Sequence, residues 1–430
     1  MPIGVNCNGY TKAYHQGFYV SKTREPNITL NLQDISIAAL KVVKRLSEDG
    51  FEAYLVGGCV RDLLLGKKPK DFDVATNATP QEIHKLFRNS RIIGRRFQIV
   101  HVRFGREVIE VATFRGQHNP KESSDAGHIL RDNVFGSFKE DSFRRDFTVN
   151  ALYYDASSET VLDPTGLGLP DLEAGRLQLI GDPAQRFKED PVRMLRAVRF
   201  MVKLDFLISP ALAADIKNSA DLLGQIPPAR LFEETLKLFM NGQALATYEA
   251  LKAYHLMSRL FPTLATEAEP ARLISAALAS TDARVKQGKP VTPAFLFAAF
   301  LWQSFITHRN RLTESKAHAP ADAAHGAAEL AFFGQQSIVS IPKRFSIPAR
   351  EIWLLQDRLH QRRGKRPFKL LDNKRFRAAY DFLLLRRDSG EAIDAVCDWW
   401  TVFQSADPDT QISMTQAGPK KKRKPKTPGP

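Results

Sequence analysis

The sequence reads as a small mixed α/β head followed by an all-helical remainder, and three observations predict this. From about residue 52 to 165, short β-prone runs alternate with short helical ones, the signature of an α/β fold. From Asp171 onward the apolar spacing turns almost wholly helical. At 430 residues the chain is also long enough for more than one core.

The elements follow in order. Residues 1–31 are polar and aperiodic and read as a flexible arm. Ile37, Leu40, Val43 and Leu46 then recur at helical spacing. The head is expected over 32–170, a helical neck over 171–260, and a helical body with a basic region over 261–404. Within the body, 312–327 reads as a surface insertion. The longest apolar run, Ala294 to Trp302, is too short to cross a bilayer and reads as a core helix. Residues 405–430 turn polar and Pro-rich and read as a disordered basic tail.

Lys and Arg number 62 against 47 Asp and Glu, a net charge of +15. That surplus calls for a polyanionic partner, nucleic acid first and an anionic membrane second. Cys7, Cys59 and Cys397 are odd in number and far apart, so neither a disulfide framework nor a Cys-rich zinc site is expected. A reducing compartment fits best. The N-terminus lacks the apolar stretch of a signal peptide.

The densest chemical signal lies between residues 52 and 73. Glu52 to Val56 reads as a strand and Val60 to Leu65 as the start of a helix, joined by Gly57-Gly58. Two glycines let the backbone approach a ligand and leave amides at a helix N-terminus, which suits phosphate oxygens. Arg61 can add a bidentate positive charge. Alone, Gly-Gly-x-x-Arg-Asp equally fits a plain strand-to-helix turn with Asp62 pairing locally. Asp71-Phe72-Asp73 shifts the balance. On a strand, Asp71 and Asp73 project from one face while Phe72 enters the core. Two like charges held together call for a cation, and hard oxygen donors suit Mg²⁺.

Gln98 to Phe104 and Glu107 to Phe114 read as a hairpin about Gly105-Arg106, a loop suited to a type II′ turn. That register sets Phe104 opposite Glu107, Val102 opposite Ile109, and His101 opposite Glu110. Val100, Val102, Ile109 and Val111 then share one face, and His101, Arg103 and Glu110 the other. Glu110 is a candidate third carboxylate; a simple cross-strand His101–Glu110 pair fits as well.

Two further motifs follow. In Arg144-Arg145-Asp146-Phe147-Thr148-Val149-Asn150, a helix would put Asp146 and Asn150 on one face, where they could hold ribose hydroxyls while Arg145 holds phosphate. A helix cap is the alternative for Asp146. In Glu189-Asp190-Pro191-Val192-Arg193-Met194-Leu195-Arg196, Asp190 fits an N-cap and Pro191 the first helical position. Arg193 and Arg196 share a face with Phe200 one turn on. Asp190 and Arg193 suit a base edge; capping with a solvated Arg stripe is the alternative.

Taken in order, the four motifs resemble the class II nucleotidyltransferases of the polymerase β superfamily, which include bacterial poly(A) polymerases and CCA-adding tRNA nucleotidyltransferases. The resemblance is strong over about 50–240 and weaker over 340–390. It implies a polymerase β-like catalytic head followed by all-α neck, body and C-terminal regions. It implies triphosphate and metal binding at Gly57, Gly58, Arg61, Asp71 and Asp73. Arg145 and Asp146 would supply an active-site carboxylate and ribose contact, and Glu189, Asp190 and Arg193 would face the incoming base. Ile92 to Val102, Ile226 to Glu234 and Lys343 to Pro348 look like segments that mark the poly(A) branch. Asp163-Pro164-Thr165-Gly166-Leu167-Gly168 departs from relatives that carry adjacent glycines, which affects the hinge and not the chemistry.

Arg358, Arg362, Arg363, Lys365, Arg366, Lys369, Lys374, Arg375 and Arg377 crowd one region, with Trp353, Phe368 and Phe376 interleaved. Cations for phosphates with aromatics for stacking predict single-stranded RNA binding; a solvated amphipathic helix pair is the alternative. The tail Lys420-Lys421-Lys422-Arg423-Lys424-Pro425-Lys426 suits RNA without sequence preference, or a nuclear localisation signal in a eukaryote. The expected activity is template-independent transfer of AMP from ATP to RNA 3′ ends, with two Mg²⁺ held by Asp71 and Asp73. A cytoplasmic monomer acting with RNA-decay machinery, and no membrane, completes the expectation. CCA addition to tRNA is the runner-up, and a catalytically silent RNA-binding protein the alternative of another class.

Overall fold

The computed structural model describes residues 30, 32–94, 98–116, 135–264, 268–315 and 319–416. The expected N-terminal arm apart from Leu30, residues 95–97 and the basic run 420–426 lie outside the described residues. The chain divides into two units, one within 1–183 and 204–212, the other within 184–203 and 213–430. Among the described residues, no helix is long and apolar enough to cross a membrane.

The first unit is built on a seven-stranded sheet. Its strands are β1 Ala53–Val56, β2 Asp73–Thr76, β3 Ser90–Ile93, β4 Ile99–Phe104, β5 Glu107–Thr113, β6 Tyr153–Asp155 and β7 Thr160–Leu162, in the order β3-β4-β5-β2-β1-β6-β7. The β2–β5 pair is parallel; the other five pairs are antiparallel. Helices α1 Ile37–Glu48, α2 Gly58–Leu64, α3 Pro80–Leu86, α4 Phe138–Arg144 and α5 Gly168–Glu173 complete the unit.

Alternation decides the two faces of the sheet. Leu55, Val74, Val100, Val102, Ile109 and Val111 are fully buried on one. α1 covers β1, β2 and β5 there, and α3 covers β3 to β5. On the other face Val56, Ala75, Phe114 and Tyr153 pack with Tyr54, Phe138 and Leu162. The Phe138 ring lies 5.0 Å from Tyr54 and 4.7 Å from Tyr153, centroid to centroid.

The hairpin forms with the expected register: Phe104 faces Glu107, Val102 faces Ile109, and His101 faces Glu110. Gly105 has φ 62°, as the first central residue of a primed turn requires. α1 begins at Ser36, whose hydroxyl accepts from the Ala38 and Ala39 amides. Its buried stripe is Ala38, Ala39, Val42, Val43 and Leu46, so the helix is rotated from the expected one and Ile37 is exposed. The first unit also runs past residue 170. The Leu177 amide donates to Leu207 O and the Leu207 amide to Gly175 O, both at 2.8 Å, tying 204–212 to the head.

No strand occurs after Leu162 among the described residues. The second unit is helical, and two expectations are corrected there. Residues 312–327 are no surface insertion. Helices Trp302–Glu314 and Pro320–Gln336 pack together, with Ala323, Ala324, Ala327 and Ala328 buried. Alanine is both the best helix former and small enough for close helix packing, and its low apolarity hid the pattern. Nor does an irregular tail begin at 405. Pro408–Thr415 is a helix capped by Asp407, and Thr415 O accepts from the Gly364 amide at 3.0 Å. An Asp-Pro start supplies cap and first turn even in polar sequence. The core beside it gathers Leu355, Leu359, Phe376, Tyr380, Trp400 and Phe403.

Gly168 opens α5 where a Cβ would lie 2.7 Å from both Leu152 Cδ2 and Thr148 O. Gly168→Ala is expected to destabilise the protein by about 1–3 kcal/mol through overpacking. Urea denaturation checks this; an unchanged midpoint would show that the α5 start yields freely.

Candidate active site

β1 ends at Val56 and α2 begins at Gly58, two residues earlier than the sequence suggested, which leaves Gly57 alone as the turn. Its φ is 78°, a conformation that L side chains rarely adopt. A Cβ there would also meet Arg145 Nη1 at 3.3 Å and Asn150 O at 3.5 Å. The Gly57 amide is anchored to Leu152 O at 2.9 Å. The turn itself is buried and Gly58 half-buried at the start of α2. Cys59, next in the helix, is buried with its thiol donating to Val56 O, and burial pushes its pKa up to about 11. It is a packing residue, not a nucleophile.

Arg61 departs from the exposed fork expected of it. It is 2 % exposed. Its Nε and Nη2 donate to Asp62 Oδ1 at 2.9 and 2.6 Å, and Nη1 donates to Asn150 Oδ1. The helix carries the guanidinium inward, so its charge lies behind the turn and fixes Asn150. The local Asp62 pairing weighed for this motif does form.

β2 starts at Asp73, with Asp71 just ahead of it; both are exposed and Phe72 between them is buried. The parallel register sets Asp73 against Glu110, and the antiparallel one sets Glu110 against His101. Registered residues on neighbouring strands project from the same face, so Asp73, Glu110 and His101 form a row. His101 Nε2 lies 3.3 Å from Glu110 Oε1, within ion-pairing range but without hydrogen-bond alignment. Asp73 keeps an open side while protein crowds it from behind. That partial desolvation first, then Glu110, pushes its carboxyl up to about 6, with Arg145 opposing and Asp71 adding. The cross-strand contact of Glu110 with His101 forms, and the same register sets Glu110 beside Asp73.

Asp146 and Asn150 meet, but not on an α-helix. α4 stops at Arg144, and Thr148–Asn150 is a single 3-10 turn. Asp146 Oδ1 accepts from the Phe147 amide at 2.9 Å and from Asn150 Nδ2 at 3.2 Å. The helix cap weighed for Asp146 does not form: the cap position of the turn is Phe147, and Asp146 instead accepts from the neighbouring amide and the Asn150 side chain.

Sequence reasoning missed the group that holds Arg145. Asp141, buried on α4, accepts at Oδ2 from Arg145 Nε (3.3 Å), Arg145 Nη2 (3.0 Å) and the Tyr153 hydroxyl (2.7 Å). Its Oδ1 accepts from the Arg115 amide at 3.2 Å. Arg145 Nε also donates to Tyr153 Oη at 2.9 Å. One carboxylate thus gathers the end of β5, the end of α4 and the start of β6 under Gly57. The i, i+4 spacing of Asp141 and Arg145 was a usable signal; Tyr153 carried none.

In the second unit, the carboxylate of Asp190 accepts from the Val192 amide at 3.2 Å, capping a helix, Val192–Leu204, that starts one residue later than expected. Asp190 and Arg193 do not pair with each other. Arg230 Nη2 donates to Asp190 Oδ2 at 2.7 Å, and Glu189 Oε2 accepts from Arg186 (2.7 Å) and Arg193 (3.0 Å). Arg196 and Arg199 lie 5.4 and 4.9 Å from the Phe200 ring centroid. Phe232 and Phe345, from two of the branch-marking segments, meet in a tilted pair with centroids 5.8 Å apart.

The interleaved aromatics are corrected. Trp353 is 1 % exposed and donates from Nε1 to Ala298 O, Phe376 is core, and Phe368 packs on Phe403. None offers a stacking face, because each lies on the inward side of its helix. The cations sort differently. Arg363, Lys365, Arg366, Lys369, Lys374 and Arg377 are exposed. Arg375 is half-buried on Glu351 at 2.6 Å, and Arg362 donates to Ala395 O at 2.8 Å.

Among the described residues, no group of three or more His, Cys, Asp or Glu side chains could hold a metal ion unaided. Asp71 and Asp73 still fit Mg²⁺, which is commonly held by one or two carboxylates plus substrate phosphates. A crowded carboxylate whose proton affinity is already raised is one that a cation would relieve.

A mixed sheet with carboxylates on adjacent strands beside a glycine turn, followed by helices, matches the head and helical remainder of a class II nucleotidyltransferase. The family models agree: "Poly A polymerase head domain" matches residues 53–178, "Probable RNA and SrmB- binding site of polymerase A" 205–267, and "Polymerase A arginine-rich C-terminus" 316–429. The chain is 48 % identical over 400 residues to poly(A) polymerase I of Salmonella typhimurium, covering 90 % of this chain and 86 % of that one. It belongs to the poly(A) polymerase family. A CC-adding tRNA nucleotidyltransferase of Halalkalibacterium halodurans is 40 % identical over 210 residues, 49 % of this chain and 50 % of that one. The Thermotoga maritima CCA-adding enzyme complexed with tRNA shares the fold, with a TM-score of 0.59 at 17 % identity over 91 % of this chain and 89 % of that one.

If Tyr153 acts on the head through Arg145, Tyr153→Phe and Arg145→Lys are expected each to lower stability, Tyr153→Phe by about 1–3 kcal/mol. The double variant should fall short of the sum by at least about 0.5 kcal/mol in a urea double-mutant cycle. Strict additivity would show that the two do not work as one unit.

Proposed function

We propose that this protein is a template-independent polynucleotide adenylyltransferase that adds AMP from ATP to RNA 3′ ends. The observation that carries this reading is the register that sets Asp73 beside Glu110 next to the Gly57 turn. The family relatives support adenylate as the unit added and RNA as the acceptor.

The residues divide the work by position and charge. The bare backbone at Gly57 and Gly58 lets the triphosphate approach α2, with Arg145 held beneath the turn by Asp141 and Tyr153. Asp71 and Asp73 would hold two Mg²⁺ ions, with Glu110 as the third carboxylate of the row. Bound there, the cations would activate the attacking hydroxyl and steady the leaving oxygen. The RNA 3′ oxygen then bonds to the α-phosphorus, the bond between that phosphorus and the bridging oxygen breaks, and pyrophosphate leaves. Asp146 and Asn150, already hydrogen-bonded to each other, are a ready pair for ribose hydroxyls. Asp190 and Arg193 present an acceptor and a donor of the kind that read a base edge, with Glu189 and Arg196 supporting them. Catalysis is mainly positioning and fixed electrostatics.

Purified protein given each NTP singly, with Mg²⁺ and an oligoribonucleotide, is expected to extend the RNA with ATP and poorly with CTP. Efficient CTP addition to a truncated tRNA would instead select CCA-type chemistry. Asp73→Asn is expected to lower kcat by about a hundredfold or more while the fold persists. Glu110→Gln tests the third carboxylate: near-normal turnover in the folded variant would remove it from the machinery.

A further inference from the structure

A cavity of about 560 Å³ opens within the second unit, formed by helices Pro320–Gln336 and Lys343–Leu359 and the segment at Asn373 and Lys374. The proposed chemistry makes no use of it. Ala321, Ala324, Leu354 and Leu355 give it an apolar wall. Arg358, Gln361, Lys374 and His325 line the rest.

The charges around it are not balanced. Two carboxylates reach the lining, Glu351 and Asp357, and each has its own cation: Arg375 lies 2.6 Å from Glu351, and Arg309 3.2 Å from Asp357. Arg358 and Lys374 have no such partner among the described residues, and the Gln361 amide likewise has none. An apolar wall, an uncommitted amide with both donor and acceptor, and two uncommitted cations together match one kind of ligand. The wall takes a flat ring, the amide reads its edge, and the cations take the phosphate.

We propose that this cavity is a nucleotide subsite that takes a base of the RNA strand, apart from the reacting 3′ end. Exposed Arg363, Lys365, Arg366, Lys369 and Arg377 lie on the same stretch of chain as Arg358 and Lys374, and a row of phosphates rather than a single one would satisfy them. The assignment rests on the RNA reading above and goes one step further, from a cationic surface to a defined slot.

The test is binding of 5′-fluorescein oligoadenylates, from three to twenty nucleotides, by anisotropy without nucleotide or Mg²⁺. Ala321→Trp fills the slot from an exposed helix position, and Gln361→Ala removes the edge contact. Long oligomers should bind about tenfold more weakly to Ala321→Trp and several-fold more weakly to Gln361→Ala, as for the loss of one stacked base. The trinucleotide should bind all three proteins alike, and the KM for ATP in extension assays should not move. If both variants match the parent at every length, or lose affinity equally at every length, the subsite does not exist. Millimolar AMP should weaken long oligomers to the Ala321→Trp level; AMP that binds the parent but not Ala321→Trp, while long-oligomer affinity stays unmoved, would assign the slot to a free nucleotide and overturn the RNA-strand assignment. A parent protein that binds no oligomer at all would instead remove the RNA reading itself.

Discussion

Asp73 faces Glu110 because β2 and β5 run parallel in a register that neither strand can leave. The other side of both strands is fully buried: Val74 and Val111 have no exposed surface. A slip of one residue would turn those valines outward and drive both carboxylates into the layer beneath α1. An unpaired buried carboxylate costs several kcal/mol, so the apolar face fixes the polar one. The row of like charges is thus a consequence of packing elsewhere, and it persists although neighbouring carboxylates repel. A parallel pair also needs a crossover, which α3, β3 and β4 provide, and that insertion places the His101 strand on the outer side of Glu110.

Opposite charge is held nearby by a different device. Arg145 is fixed on two sides by Asp141 and Tyr153 and lies against a turn with no Cβ. A guanidinium so constrained does not have to be ordered when an anion arrives, which is what makes a fixed charge more effective than a mobile one. It already acts on Asp73, opposing the upward shift that crowding and Glu110 impose. Arg61 serves the same end from the interior by fixing Asn150.

Local signals in the sequence were legible and non-local ones were not. The glycine at 105 and the alternation on either side determined the hairpin, because turn type sets register over a few residues. The exposed–buried–exposed pattern of Asp71, Phe72 and Asp73 was readable for the same reason. The partnership of β2 with β5 spans more than thirty residues and leaves no trace in either strand, so Glu110 could be named as a candidate third carboxylate beside Asp71 and Asp73 but not assigned to a register. Asp141 left only its i, i+4 spacing to Arg145 as a sign, and Tyr153 was invisible until β6 and α4 came together. The aromatics of the basic region failed differently. A tryptophan or phenylalanine between cations has the same composition whether it faces solvent or core, and helical phase decided for the core at Trp353 and Phe376.

The same inward turn bears on the proposed RNA surface of the second unit. Cations on a free tail attract RNA but do not place it. Here the helices beside the cations are tied by buried polar groups. Gln356 donates to both Ile352 O and Ala379 O and accepts from Arg386. Trp400 donates to Leu359 O across the core, and Gln335 to Leu260 O. Each bond between helices is satisfied at one relative placement of them, because a buried donor left without its acceptor costs about 1–3 kcal/mol. Phe368, packed on Phe403, joins the helix that carries Arg366 and Lys369 to the same core. A fixed surface can hold a phosphate backbone in register as well as near.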